Sequence, residues 1–150
     1  MKERRHLMTP AEARHVTFSF GRVFPYKNKL TTLFYDTLFE MAPEARPLFP
    51  DDMSGQKDKL AHTLNLVVTN LNKLDGILAA VRALGERHKG YGATAAHYEV
   101  VGIALVTALK QVTPGGLSAE EEQAWVTAYQ LIASAMVEAA DAAPDVAKTA

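Results

Sequence analysis

The chain has 150 residues, a length typical of one domain, and its 48% hydrophobic residues are enough for a sizeable core. A formal net charge of −1 provides no basic excess for nucleic acid or an anionic membrane surface. The absence of cysteine excludes disulfides and thiolate metal sites.

No apolar run of the kind found in a secretory signal follows the charged N-terminal residues. The most apolar stretch, residues 100–109, is about half the length that a bilayer requires. We therefore expect a soluble, cytoplasmic protein that binds neither nucleic acid nor membrane.

Helical signals begin near the N-terminus. Thr9 and Glu12 have the spacing of a capping box and open the first predicted helix, which Pro25 ends. A second helix is predicted over residues 28–41, and the prolines that follow confine residues 43–49 to a short helical turn.

The second half of the chain continues in the same way. Ser54 is the predicted N-cap of a long helix, and the next helix follows Asp75 and ends at two glycines just after His88. Thr94 caps the helix after that, and a capping box that starts at Ser118 opens the last one.

These segments amount to about seven helices in an all-α domain, because no stretch has the alternation of a strand. Connections of uneven length favour an architecture in which helices pack at angles to one another, rather than an up-and-down bundle. Residues 1–150 are interpreted as one domain with a core over residues 10–140 and frayed ends.

His88 is the first candidate functional residue. It closes an apolar stripe of Ile77, Val81 and Leu84, spaced as one face of a helix. Such a histidine is by itself more often a satisfied core residue than a ligand. Zinc and di-iron sites need several converging ligands, whereas one imidazole in an apolar surround is sufficient for haem.

Two polar residues upstream strengthen the haem interpretation. Tyr35 and Phe49 flank the proline-bounded turn, and Gln56 lies one helical turn before Leu60. A phenol and an amide are costly in an apolar core without a partner, and a ligand on haem iron would accept hydrogen bonds from both. The ordinary alternatives are amphipathic packing for Tyr35 and a solvated helix start for Gln56.

Four segments and two aromatic residues resemble, in order, bacterial single-domain globins and the haem domain of flavohaemoglobins. The resemblance covers about residues 10–140. Its first two segments correspond to the second helix of the family and the corner after it. Its other two segments correspond to the proximal side of the haem pocket. The matching parts are residues 34–39 (FYDTLF), 43–49 (PEARPLF), 84–92 (LGERHKGYG) and 96–102 (AHYEVVG), with Trp125 and Tyr129 in the last helix.

This resemblance implies a globin fold around haem b with His88 as the proximal iron ligand. Its other ring N–H would be held by a backbone carbonyl or a nearby side chain. The further cofactor contacts implied are Phe49, Leu60, Leu84, Tyr91 and Tyr98.

On the distal side the resemblance makes Tyr35 the main hydrogen-bond donor to a bound ligand and Gln56 its helper. No catalytic residue is assigned beyond this pair. The sixth coordination position is expected to be open or occupied by water, and His97 is expected to face outward.

One position departs from the family. The family carries a glutamate eleven residues after the tyrosine that corresponds to Tyr129, where it bonds toward the proximal histidine together with the tyrosine matching Tyr98. This chain has Ala140 there, and Glu138 lies about 200° away around the helix. Strong oxygen activation by a proximal charge relay is therefore in doubt, but oxygen binding is not.

The leading hypothesis is reversible binding of dioxygen or other small ligands. The alternative is nitric oxide dioxygenation with a separate flavin reductase, so enzyme activity stays open. A ligand sensor and a haem-free interaction module rank lower, and both a monomer and a homodimer fit the sequence.

Overall fold

The computed structural model describes residues 8–73, 78–90 and 94–142, and within these ranges the chain is helical without a strand. The predicted all-α class is confirmed. Six α-helices follow one another: α1 (Pro10–Val23), α2 (Lys27–Met41), α3 (Ser54–Thr69), α4 (Leu78–Gly90), α5 (Ala95–Val112) and α6 (Ala119–Ala142). Short 3₁₀ turns over Phe24–Tyr26 and Pro43–Leu48 flank α2, so each predicted helical segment is found.

Both predicted capping boxes form. The Thr9 N–H donates to the Glu12 carboxylate over 2.8 Å, and the Glu12 N–H donates to Thr9 Oγ1 over 3.1 Å. Ser118 and Glu121 exchange the equivalent bonds, each 3.0 Å long. These side chains satisfy backbone donors that a helix start leaves unpaired.

The start of α3 differs from the prediction. Ser54 is the first helical residue, not the N-cap, and Met53 precedes it without a side-chain cap. The Asp52 carboxylate accepts from the Ser54 N–H over 3.0 Å and from its hydroxyl over 2.8 Å. A carboxylate is a stronger acceptor at a helix start than a hydroxyl, and these bonds lower the pKa of Asp52.

The main core lies where α2 packs on α5 and α1 packs on α6. Leu30 and Leu109 are fully buried there. The indole Nε1–H of Trp125 donates to Ser19 Oγ over 2.9 Å, so the polar atoms at this depth are paired.

A second, smaller cluster holds α4 against α6. Val81 and Met136 are buried at its centre, and Leu84, Tyr98 and Ile132 pack around them. His88 is therefore carried by a helix that is attached outside the main core. None of the described helices is long and apolar enough to cross a membrane.

Candidate functional site

A cavity of about 180 Å³ opens between the helices, and all six α-helices contribute to its wall. Four of the predicted cofactor contacts border it: Leu60, Leu84, His88 and Tyr98. Most of the remaining wall is apolar: Val16, Phe34, Leu64, Val67, Val68, Leu71, Val101, Leu105, Trp125, Ala128, Ile132 and Met136. Such a space suits an apolar group held at a few polar points.

His88 presents its imidazole to this cavity from α4. Its Nδ1 lies 2.8 Å from the carbonyl oxygen of Leu84, which can only accept, so Nδ1 carries the proton. In the neutral imidazole the lone pair needed for a metal is then on Nε2. The predicted bond from the second ring nitrogen to a backbone carbonyl is thus present.

Among the described residues, no side chains gather near His88 in the way that a polynuclear or zinc-type metal site requires. Within the described residues no group of three or more histidine, cysteine, aspartate or glutamate side chains converges on a point. A single imidazole on a mostly apolar wall agrees with a cofactor that brings its own metal.

Tyr98 lies beside His88, with the two ring centroids 6.3 Å apart and the planes inclined at 37°. Its hydroxyl is buried, and no hydrogen-bond partner for it exists in the part of the chain that the structure describes. Burial raises the pKa of Tyr98. Since an unpaired buried hydroxyl costs about 1–3 kcal/mol, this atom points to a polar partner supplied by a bound group.

Tyr129 fixes the backbone that carries Tyr98. Its hydroxyl donates to the Tyr98 carbonyl over 2.5 Å, and burial, then the nearby Tyr98, raises the pKa of Tyr129. A Cβ atom at Gly102 would lie 2.8 Å from Tyr129 Cε2. Glycine at this position therefore lets the phenol ring lie directly on α5.

Tyr35 and Gln56 form the pair that the sequence predicts. The Gln56 amide nitrogen donates to the Tyr35 hydroxyl oxygen over 3.1 Å. Tyr35 is 5% exposed, and its pKa is raised by burial, against the opposing effect of the Gln56 bond. The phenol therefore keeps its own proton to donate to a third group.

The pair lies behind the cavity wall as described, not on it. The Tyr35 ring touches Phe34, which does line the cavity, at a centroid distance of 4.8 Å. Gln56 precedes the lining residue Leu60 by one helical turn. Their predicted contact with a bound ligand stays a prediction.

Phe49 packs edge-on against Tyr35 at 5.6 Å and against Phe39 at 5.3 Å. It is partly buried, and the described cavity wall does not include it. Its predicted contact with the cofactor stays a prediction. Tyr91, assigned to the same role, lies outside the described residues.

His97 does not face away from the site as expected. It is half-buried and borders the cavity, because its Nδ1 accepts from the Thr94 N–H over 3.2 Å and turns the ring back over the start of α5. The Thr94 hydroxyl accepts in return from the His97 N–H over 3.4 Å. The predicted cap at Thr94 is confirmed, with histidine in the place usually taken by glutamate or glutamine.

Thr63 is a polar wall residue that the sequence analysis missed. It lies seven residues after Gln56, about two helical turns, and so on the same face of α3. That spacing could have predicted it.

The chain is similar to proteins of known family. The sequence profile of the globin family matches residues 32–136. The flavohemoprotein of Bacillus thuringiensis subsp. konkukian is 34% identical over 112 residues, covering 73% of this chain and 27% of that protein. That of Bacillus subtilis is 32% identical over 113 residues, covering 72% and 28%. The chain thus spans little more than a quarter of the length of these relatives.

Solved structures agree with the architecture. A bacterial globin from Campylobacter jejuni superposes with a TM-score of 0.78 at 23% identity, covering 89% of this chain and 96% of that one. An engineered carbene transferase from Rhodothermus marinus, described as a putative nitric oxide dioxygenase, superposes with a TM-score of 0.81 at 25% identity, covering 89% and 94%.

Proposed function

Because this chain belongs to the globin family, we propose that it binds haem b through His88 and uses it to bind dioxygen or another small ligand reversibly. Haem would supply an iron centre that His88 would hold and to which a small ligand could bind. The observation that carries the proposal is His88 itself, oriented by the Leu84 carbonyl on the wall of an apolar cavity.

The residues around the cavity fit this cofactor. The apolar wall would exclude water from the flat macrocycle, and the unpaired hydroxyl of Tyr98 is a polar atom that the described chain leaves without a partner. The bond from His88 Nδ1 to the Leu84 carbonyl fixes which ring nitrogen carries the proton and orients the ring.

Tyr35 and Gln56 would act on the ligand side. The Gln56 amide holds the phenol oxygen, and the phenol proton is available to a bound ligand. Each hydrogen bond to a charged or strongly polarised acceptor is worth about 1.5–3 kcal/mol. The pair would therefore slow the release of a ligand that develops negative charge.

Absorption spectra of the purified protein with added haem test the proposal. We expect an intense Soret band that changes between the ferric, ferrous and oxygenated forms, and its loss or displacement in His88→Ala. His62→Ala is a matched control, because His62 is exposed on α3. A protein without a Soret band after haem addition, or with spectra indifferent to His88→Ala, contradicts the proposal.

Nitric oxide dioxygenation is the second candidate. It is favoured by relatives called flavohemoproteins and by the R. marinus structure described as a putative nitric oxide dioxygenase. Nitric oxide, dioxygen and one electron combine to nitrate, so turnover needs an electron donor such as a flavin reductase. Sustained nitrate formation with an added reductase supports this role, whereas one turnover per haem supports ligand binding alone.

The partners that follow from these proposals are small ligands, with dioxygen and nitric oxide foremost, and a flavin reductase in the second case. The mass of the protein in solution would distinguish a monomer from a homodimer.

A further inference from the structure

The helix that carries His88 is held from one side. Among the described residues, α4 makes its extensive helix contact with α6, and its contacts with the other helices are few. The apolar cluster between the two helices is small and separate from the main core. The separation of α4 from α6 therefore decides where the His88 imidazole lies.

The two helices lie very close together at Gly85. This residue is buried, and a Cβ atom built on it would lie 2.7 Å from the Cα of Met136 and 2.8 Å from its carbonyl carbon. These are backbone atoms, so a rotamer change cannot relieve the overlap. Glycine inside a helix is destabilising by about 0.5–1 kcal/mol relative to alanine. The close approach of the two helices explains why a glycine occupies this position.

We propose that Gly85 is a positioning residue for the iron ligand. Gly85 follows Leu84, whose carbonyl orients His88, and precedes His88 by three residues, less than one helical turn. A displacement of α4 at Gly85 moves the ligand and its hydrogen-bond acceptor together. The inference rests on the proposed haem ligation by His88.

The size of the effect follows from contact distances. The optimal separation of non-bonded carbon atoms is about 3.5–4.0 Å, so a methyl group at Gly85 requires α4 to move by roughly 1 Å. A site that binds its ligand well holds its groups within about 0.5 Å. The displacement therefore exceeds what the iron–imidazole bond can absorb unchanged.

The test is Gly85→Ala, read by the iron–imidazole stretching band of the ferrous protein in resonance Raman spectra. We expect the variant to bind haem and its band to shift from that of the wild type. Gly21→Ala is the matched control, because no atom beyond its chain neighbours and the adjacent backbone of its own helix lies within 4 Å of a Cβ built there, and its band is expected to stay in place. A haem-loaded Gly85→Ala with an unshifted band overturns the inference.

Free imidazole separates positioning from a general change in the pocket. In His88→Gly supplied with imidazole, the iron ligand is no longer attached to α4, so adding Gly85→Ala is expected to leave the band unchanged. A shift in that background overturns the inference, because the substitution would then act without the tether.

If Gly85→Ala does not fold, Ala135→Val replaces it, because Ala135 packs in the same contact between α4 and α6. A shifted band supports the inference, and an unshifted band contradicts it. A wild-type protein that takes up no haem contradicts the proposed function instead, so the two failures are distinguishable.

Discussion

The side-chain amide of Gln56 donates a hydrogen bond to the hydroxyl oxygen of Tyr35 over 3.1 Å and thereby joins α3 to α2. The bond uses the acceptor side of the phenol and leaves its proton for another group. Two residues 21 positions apart thus form one donor unit in which Gln56 orients and Tyr35 donates. This division of roles leads to the first two predictions.

Tyr35→Phe is expected to speed ligand release. Removing a hydrogen bond of about 1.5–3 kcal/mol corresponds to a dissociation rate roughly 10- to 150-fold higher. Stopped-flow measurement of oxygen dissociation provides the rate. Tyr26→Phe is the control, because Tyr26 is 47% exposed and lies outside the cavity wall; a rate in Tyr35→Phe equal to that of this control contradicts the distal role.

Ligand release is also expected to depend on pH in the alkaline range. Burial raises the pKa of Tyr35 above its ordinary value of 10.0, so the neutral, donating form persists to at least that pH. The release rate is predicted to be flat from neutral pH to about 10 and to rise once the phenol ionises. In Tyr35→Phe the rate has no such rise, and an identical alkaline rise in both proteins assigns it to another group.

Tyr98→Phe is expected to change the stability of the haem-free protein and of the haem-loaded protein differently. Without haem the hydroxyl has no partner among the described residues, so its removal is expected to leave stability equal or higher by up to about 1–3 kcal/mol. With haem bound, that gain is expected to shrink because the cofactor provides the partner. Denaturant unfolding of both forms measures the difference, and a variant destabilised in the haem-free form contradicts the assignment.

The link between α1 and α6 is expected to weaken in acid. Arg22 donates to Glu121 over 2.5 Å, and this bond, the largest cause, lowers the pKa of Glu121 below its ordinary value of 4.5. Stability from this group is then fully present above pH 4.5 and is lost as the pH falls through the lowered folded-state pKa. The Arg22 side chain is 43% exposed, so solvent screening keeps the contribution below about 1 kcal/mol.

Glu121→Gln tests this link in unfolding experiments between pH 7 and pH 3. The variant is expected to be less stable than the wild type near neutral pH, with the gap closing in acid. Glu122→Gln is the control, because Glu122 and its partner Lys110 are both well exposed. A gap that does not change with pH contradicts the ionic origin.

The sequence determined where the helices lie and the capping boxes that open α1 and α6, because the interactions that set them are local; the cap at Ser54 was predicted wrongly. The Thr9–Glu12 and Ser118–Glu121 boxes form within one turn, and the bond from His88 to Leu84 spans four residues of one helix. Residue types and spacing therefore predicted these features and singled out the imidazole.

The chemistry of a phenol and an amide and the resemblance to a family assigned Tyr35 and Gln56 to one site, but the bond between them depends on how α2 and α3 pack. The inward turn of His97 and the part of Thr63 in the cavity wall depend likewise on the positions of several helices. Sequence spacing places a side chain on a face, but it does not say what that face meets.

The contact of Gly85 with Met136 shows most clearly what the sequence alone does not predict. A glycine inside a helix signals a close approach, but its partner lies 51 residues later on another helix. The sequence by itself determined an all-helical chain with His88 on an apolar face. Only the tertiary structure decided how far α4 lies from α6, because that distance is set by backbone atoms of two helices in contact.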